Sequence, residues 1–129
     1  MLEKEVTSLK PKILLVVDDL FFSVKIGSLL MKGGYSCQVT PTEPDALRIL
    51  QDSRPSLVIV DLDIQNGGVK IIERIRKEKE KIPVVAFSRH HEKEAMERAR
   101  KLGCRAVLSR PEFLKTLPSL IEKYQEKEG

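Results

Sequence analysis

Short apolar runs, each stopped by a polar residue, alternate along this chain with segments of helical spacing. That alternation restricts the fold more than any other feature. Residues 12–17 are nearly continuous in apolar character and end at Asp18-Asp19; residues 56–60 end at Asp61; residues 83–87 end at Ser88; residues 105–108 end at Ser109-Arg110-Pro111. Residues 35–39 alternate and read as an edge strand. Between them, Phe22, Ile26, Leu29 and Leu30 share one face of a helix over 20–32 that stops at Gly33-Gly34. Thr42, with Asp45 three positions on, caps a helix carrying Ala46, Leu47, Ile49 and Leu50. Val69, Ile72 and Ile75 mark a third helix, and Ala95, Met96, Ala99 and Leu102 a fourth, closed by Gly103. Phe113, Leu117, Leu120, Ile121 and Tyr124 mark a fifth. Pro118 lies inside that last pattern, which predicts a helix beginning near Thr116 or a separate first turn.

Five (βα) units with near-continuous apolar strands imply a parallel sheet covered on both faces. They are too few for a closed eight-fold barrel. The expected architecture is an α/β, doubly wound (βα)5 three-layer sandwich of flavodoxin-like strand order 2-1-3-4-5, in which ligands bind beyond the carboxyl ends of the strands.

The 129 residues suffice for one domain. It is expected over 12–124, after a short extension at 1–11 and before a charged tail at 125–129. Lys and Arg (23) exceed Asp and Glu (19), yet the signs are interleaved, as in Lys77-Glu78-Lys79-Glu80-Lys81. Aromatics are 5% and Trp is absent, so the chain lacks a stacking platform for bases and no nucleic-acid partner is expected. No apolar run approaches the ~20 residues of a membrane span, and residues 1–12 lack the pattern of a secretory signal. Cys37 and Cys104 form neither a disulfide framework nor a zinc motif. A cytoplasmic setting follows as the expectation.

The strand ends carry the chemistry. In that strand order the first and third strands are neighbours about 4.8 Å apart, so Asp18, Asp19 and Asp61 converge. Like charges so close resist ionisation unless a cation offsets them, and oxygen-only donors favour a hard ion, Mg²⁺ before zinc or copper. A single strand-end Asp would be explained as a helix cap; three at two ends are not. Ser88 is either a hydroxyl donor to an anionic oxygen near Asp61 or a cap for the fourth helix. Arg110 adds a permanent cation at the same rim. A carboxylate nucleophile, metal ligands, a hydroxyl donor and a counter-cation form a set suited to accepting a phosphoryl group as an acyl phosphate.

On these residues the chain resembles the receiver domain of two-component response regulators over roughly residues 12–124. Residues 13–19 are similar to the family's first strand with its acidic pair, and residues 57–62 to its phosphoacceptor strand. Residues 82–88 match the strand ending in the switch Ser or Thr, and Arg110-Pro111 stands where the family has Lys-Pro, usually joined by a cis peptide. The resemblance implies Asp61 as phosphoacceptor, Ser88 and Arg110 as phosphate-binding groups, and Asp18, Asp19 and Asp61 as Mg²⁺ ligands; Asp63 either adds a fourth acid to that metal set or pairs with Arg89 or Arg110. It also implies a histidine kinase or phosphotransfer protein as donor and a downstream protein target, reached as a monomer or weak dimer. No enzymatic activity is implied beyond self-phosphorylation and autodephosphorylation.

Four departures accompany the matches. Arg110 replaces the family's lysine, and a planar guanidinium does not copy a compact ammonium. Arg89 follows the switch hydroxyl where the family has a small residue. The loop at 63–68 lacks the usual Met-Pro-Gly and is one residue shorter, and Val107 stands where a switching Tyr or Phe is common. Two readings therefore remain: a stand-alone phosphoacceptor receiver, or a degenerate receiver that binds a partner without phosphorylation. The fourth helix, rich in Lys93, Glu94, Glu97, Arg98, Arg100 and Lys101, belongs to the family's usual contact face, where a charged rim selects more than it tightens. Flavin binding is disfavoured by the lack of a Ser/Thr-rich loop after the first strand. Adjacent His90 and His91, without a nucleophile elbow, give no hydrolase and read as a polar start to the fourth helix.

Overall fold

The computed structural model describes residues 12–65, 67–78, 81–89 and 92–128, the side chains of Ile121 and 124–128 excepted. The expectations placed on residues 1–11 and on His90, His91, Ile121 and Tyr124 lie outside what is described. Five strands, β1 (Lys12–Val16), β2 (Ser36–Thr40), β3 (Leu57–Asp61), β4 (Val84–Ser88) and β5 (Ala106–Ser109), alternate with five helices. The helices are α1 (Leu20–Lys32), α2 (Glu43–Asp52), α3 (Gly68–Glu78), α4 (Lys93–Lys101) and α5 (Arg110–Glu128). The sheet is wholly parallel in the order β2-β1-β3-β4-β5, as the alternation requires.

Alternate strand residues feed two cores. Leu14, Val16, Val58, Val60, Val84 and Ala86 pack with α2, α3 and α4, whereas Ile13, Leu15, Leu57, Ile59, Val85 and Phe87 pack with α1 and α5. β3 and β4 are buried along their whole length, consistent with strands covered on both faces, while β2 at the edge exposes Gln38 and Val39. Thr42 caps α2 as expected, its hydroxyl accepting from the Asp45 N–H. No described helix is long and apolar enough to cross a membrane.

The start of α5 corrects the expectation drawn from Pro118. The helix is continuous from Arg110 through Pro118. Its entry is set by a reciprocal capping box that the sequence reading passed over: the Glu112 N–H donates to Ser109 Oγ at 3.2 Å, and the Ser109 N–H donates to Glu112 Oε1 at 3.0 Å. Pro111 falls in the first turn, where a missing N–H costs nothing. Pro118 is exposed while Phe113, Leu117 and Leu120 are buried, so the proline sits on the solvent side of the helix and the apolar stripe passes beneath it. No cis peptide occurs among the described residues, so the Arg110-Pro111 bond is trans, unlike the family's usual pair.

Candidate functional site

Asp61 ends β3 with its side chain fully buried. Its Oδ1 accepts the Asp63 N–H at 2.8 Å, and its Oδ2 has no partner. Burial pushes its pKa above the ordinary carboxylate value, the Asp63 N–H opposes that shift, the Asp63 charge adds to it, and Arg89 and Arg110 oppose it. Ser88, at the end of the adjacent β4, is also buried, and its Oγ has no partner. It does not cap α4, whose N-cap is Glu92. Arg110 opens α5 next door, and its Nε is a third buried polar atom without a partner. An acceptor, a hydroxyl and an N–H donor are thus left unsatisfied in one region, each at about 1–3 kcal/mol.

Asp19 is the N-cap of α1 and is pulled the other way. The Phe22 N–H donates to its Oδ1 at 3.1 Å and Arg110 Nη2 donates to its Oδ2 at 3.1 Å, while Arg89 Nη1 lies 3.9 Å from Oδ2. The Phe22 N–H is the main cause of its lowered pKa, burial opposes, and the two arginines add to the lowering. The Arg110 guanidinium also lies 3.7 Å from the Phe22 ring centroid, and Phe22 in turn packs on Phe87 and Phe113. A partly desolvated contact of this kind contributes about 1–2 kcal/mol.

Asp18 is exposed and accepts the Gln65 N–H from the β3–α3 loop at 3.3 Å. Asp63 accepts the Arg89 backbone N–H through Oδ2. The three sequence-predicted phosphate-site residues, Asp61, Ser88 and Arg110, therefore adjoin, but the four acids are individually engaged. Among the described residues no three such side chains are gathered as a metal needs. The donors are all oxygen, the kind a hard cation takes, and Asp61 Oδ2 is buried and unpartnered, but the convergence of Asp18, Asp19 and Asp61 expected from the sequence is not seen.

One positioning residue was not anticipated. A Cβ on Gly68 would lie 2.4 Å from the Asp61 carbonyl oxygen and 2.7 Å from Leu62 Cα, so only glycine lets α3 start against the end of β3. The paired glycines at 67–68 were the sequence signal.

The family model described as the response regulator receiver domain matches residues 13–122. The polar-differentiation response regulator DivK of Brucella anthropi is 28% identical over 119 residues, covering 86% of this chain and 97% of DivK. Sporulation initiation phosphotransferase F of Bacillus subtilis is 25% identical over 114 residues, covering 88% of this chain and 92% of that protein. Among solved structures, the receiver domain of NtrX from Brucella abortus superposes with a TM-score of 0.80 at 25% identity, covering 88% of this chain and 98% of that one. A CheY-like receiver domain protein from Methanospirillum hungatei gives 0.79 at 19% identity, covering 93% and 99%.

Proposed function

The chain belongs to the response regulator receiver domain family, whose members are signalling modules rather than classical enzymes, and on that premise we propose that it accepts a phosphoryl group on Asp61. The observation that carries the reading is the set of three buried, unpartnered atoms, Asp61 Oδ2, Ser88 Oγ and Arg110 Nε. Asp61 Oδ2 attacks the phosphorus of a phosphohistidine or small acyl phosphate. The bond to the donor's nitrogen or oxygen breaks, and its electron pair leaves with the donor. The phosphoryl oxygens then accept from Ser88 Oγ–H and Arg110 Nε–H, which satisfies both orphaned donors. Asp63 N–H holds Oδ1, which leaves Oδ2 as the oxygen free to react.

Mg²⁺, when bound, would neutralise charge on the transferred oxygens; Asp18, Asp19, Asp61 and Asp63 are the side chains that would hold it. Exposed Leu20, Phe21 and Val24 follow directly on Asp19. This apolar surface beside the pocket supports contact with a protein donor, either a histidine kinase or a phosphotransfer protein. Near-complete coverage of DivK and of phosphotransferase F supports a stand-alone receiver; we further propose the division 1–11, 12–124 and 125–129, a cytoplasmic setting, and output by altered protein contact as a monomer or weak dimer. The degenerate reading draws its support from the two arginines beside Asp19. Incubation with Mg²⁺ and a small acyl-phosphate donor, followed by intact mass, separates the two. A phosphoryl adduct that Asp61→Asn abolishes is expected; no adduct would leave the degenerate receiver.

A further inference from the structure

A cleft of about 1210 Å³ is lined by α3, the end of α4 and the turns before β4 and β5. Ile82, Leu102 and Gly103, which line it, precede β4 and β5 and so lie at the opposite end of the sheet from Asp61 and Ser88. Seven cationic side chains and only two acidic ones face it among the described residues. Both acids are taken: Glu43 pairs with Arg74 at 3.5 Å, and Glu73 pairs with Arg98. Arg76 is committed to three backbone carbonyls. The side chains of Lys70, Lys77, Lys81, Lys101 and Arg105 make no hydrogen bond or ion pair among the described residues. We infer that this cleft is a docking site for an acidic segment of a partner protein in which carboxylates are interspersed with aliphatic residues, separate from the phosphoacceptor site.

The fold gathers charge that the sequence interleaves. In Lys77-Glu78-Lys79-Glu80-Lys81 the signs alternate, yet Lys77 and Lys81 line the cleft while Glu78 accepts from Gln51 Nε2 at 3.5 Å on the α2 side. Helix dipoles account for Lys77 and Lys101, which lie in the last turns of α3 and α4. They do not account for Lys70, in the first turn of α3 where a cation is disfavoured, nor for Lys81 and Arg105, which lie on no helix. Like charges gathered in one cleft repel, and an anion relieves that repulsion. The kind of anion follows from what accompanies the cations. No aromatic side chain lines the cleft among the described residues, so a nucleotide base finds no stacking surface. Two of its three arginines are already engaged, which removes the forks that would hold a phosphate bidentately. Four lysines on α3, on α4 and in the turn before β4 remain, point charges suited to several separated carboxylates. Ile82 and Leu102 are half-buried in the same lining and offer contact to an aliphatic residue between those carboxylates. The volume also exceeds the ~300–1,000 Å³ of a small-molecule pocket.

The test titrates a synthetic Glu-rich peptide with interspersed Leu into the full chain, with binding read from backbone amide NMR shifts. A peptide with Gln in place of Glu, and ATP, are titrated in parallel. Saturable shifts are expected at Lys77, Leu102, Gly103 and Arg105 with the Glu peptide alone, weakening as salt is raised. Lys77→Glu combined with Lys101→Glu is expected to weaken binding about tenfold, since each exposed ion pair contributes modestly. Both positions are exposed, and Lys77→Gln with Lys101→Gln gives the same direction of change if the reversal folds poorly. No saturable shift, equal binding of the Gln peptide, shifts confined to other surfaces, or unchanged affinity in both double variants overturns the inference. Tighter binding of ATP at the same resonances overturns the assigned ligand class. The phosphoacceptor reading stands under every outcome, because none of these residues belongs to it.

Discussion

Asp19 and Asp61 feel the same two cations, Arg89 and Arg110, and are driven to opposite protonation preferences. Asp19 is held ionised, chiefly by the Phe22 N–H and then by Arg110, whereas Asp61 is driven toward the neutral form by burial. The strand ends thus carry both an ionised cap and a carboxylate that is costly to keep charged.

Stability against pH should expose this opposition. A lowered folded-state pKa means that Asp19 contributes stability above its unfolded value near 3.8, which is lost as pH falls through the folded value. Asp19→Asn should therefore lower the melting temperature at pH 7, with the deficit vanishing in strong acid. The raised pKa of Asp61 has the reverse sign: its favourable contribution is complete below about 3.8 and is lost as pH rises through the folded value. Asp61→Asn should raise the melting temperature by several degrees at pH 7 and give no gain in acid. Thermal melts between pH 3 and 7 check both.

Gly68→Ala should be severely disruptive. The added methyl meets backbone atoms of Asp61 and Leu62, which cannot give as a side-chain end can. A loss of about 3 kcal/mol or more is expected, visible in urea denaturation, whereas Gly27→Ala, where an added Cβ meets nothing, should be tolerated.

Arg76 should matter to stability and not to the pocket. Its guanidinium donates to the Leu102 and Ile82 carbonyls at 2.6 Å each and to Gly103 O at 3.1 Å, tying α3 to the turns before β4 and β5. Arg76→Ala leaves partly buried carbonyls unsatisfied and should cost about 2–3 kcal/mol. Arg76→Lys should recover little of this, because a point charge cannot span three acceptors. Denaturant midpoints of the two variants measure it.

Much of this was legible in the chain. The five (βα) units and their polar stops were readable because strand and helix periods differ and because a sheet covered on both faces needs continuous apolar runs. Asp61, Ser88 and Arg110 were readable from their places at strand ends. Two other features were not. The Ser109-x-x-Glu112 box was masked by the stronger negative signal of Pro118, although that proline faces solvent. The pairing of Arg110 with Asp19 and Phe22 joins residues 91 apart in sequence and depends on the end of β5 lying beside the start of α1, which no local pattern encodes.

Arg89 faces Asp19, its side chain partly exposed and its backbone N–H held by Asp63. Arg89→Ser removes bulk and one cation beside Asp19 while keeping that backbone contact. It should speed phosphoryl uptake from a small acyl-phosphate donor several-fold, measured as the initial rate of adduct formation. A rate equal to wild type would mean that Arg89 does not obstruct the donor.

The most direct measurement of the central claim is the location of the phosphoryl group itself. After incubation with donor and Mg²⁺, borohydride reduces an acyl phosphate selectively, and peptide mapping then reads the modified position. Modification at Asp61 alone, absent without donor, is the predicted result. Modification at another carboxylate, or none under conditions in which Mg²⁺ binds, would contradict it.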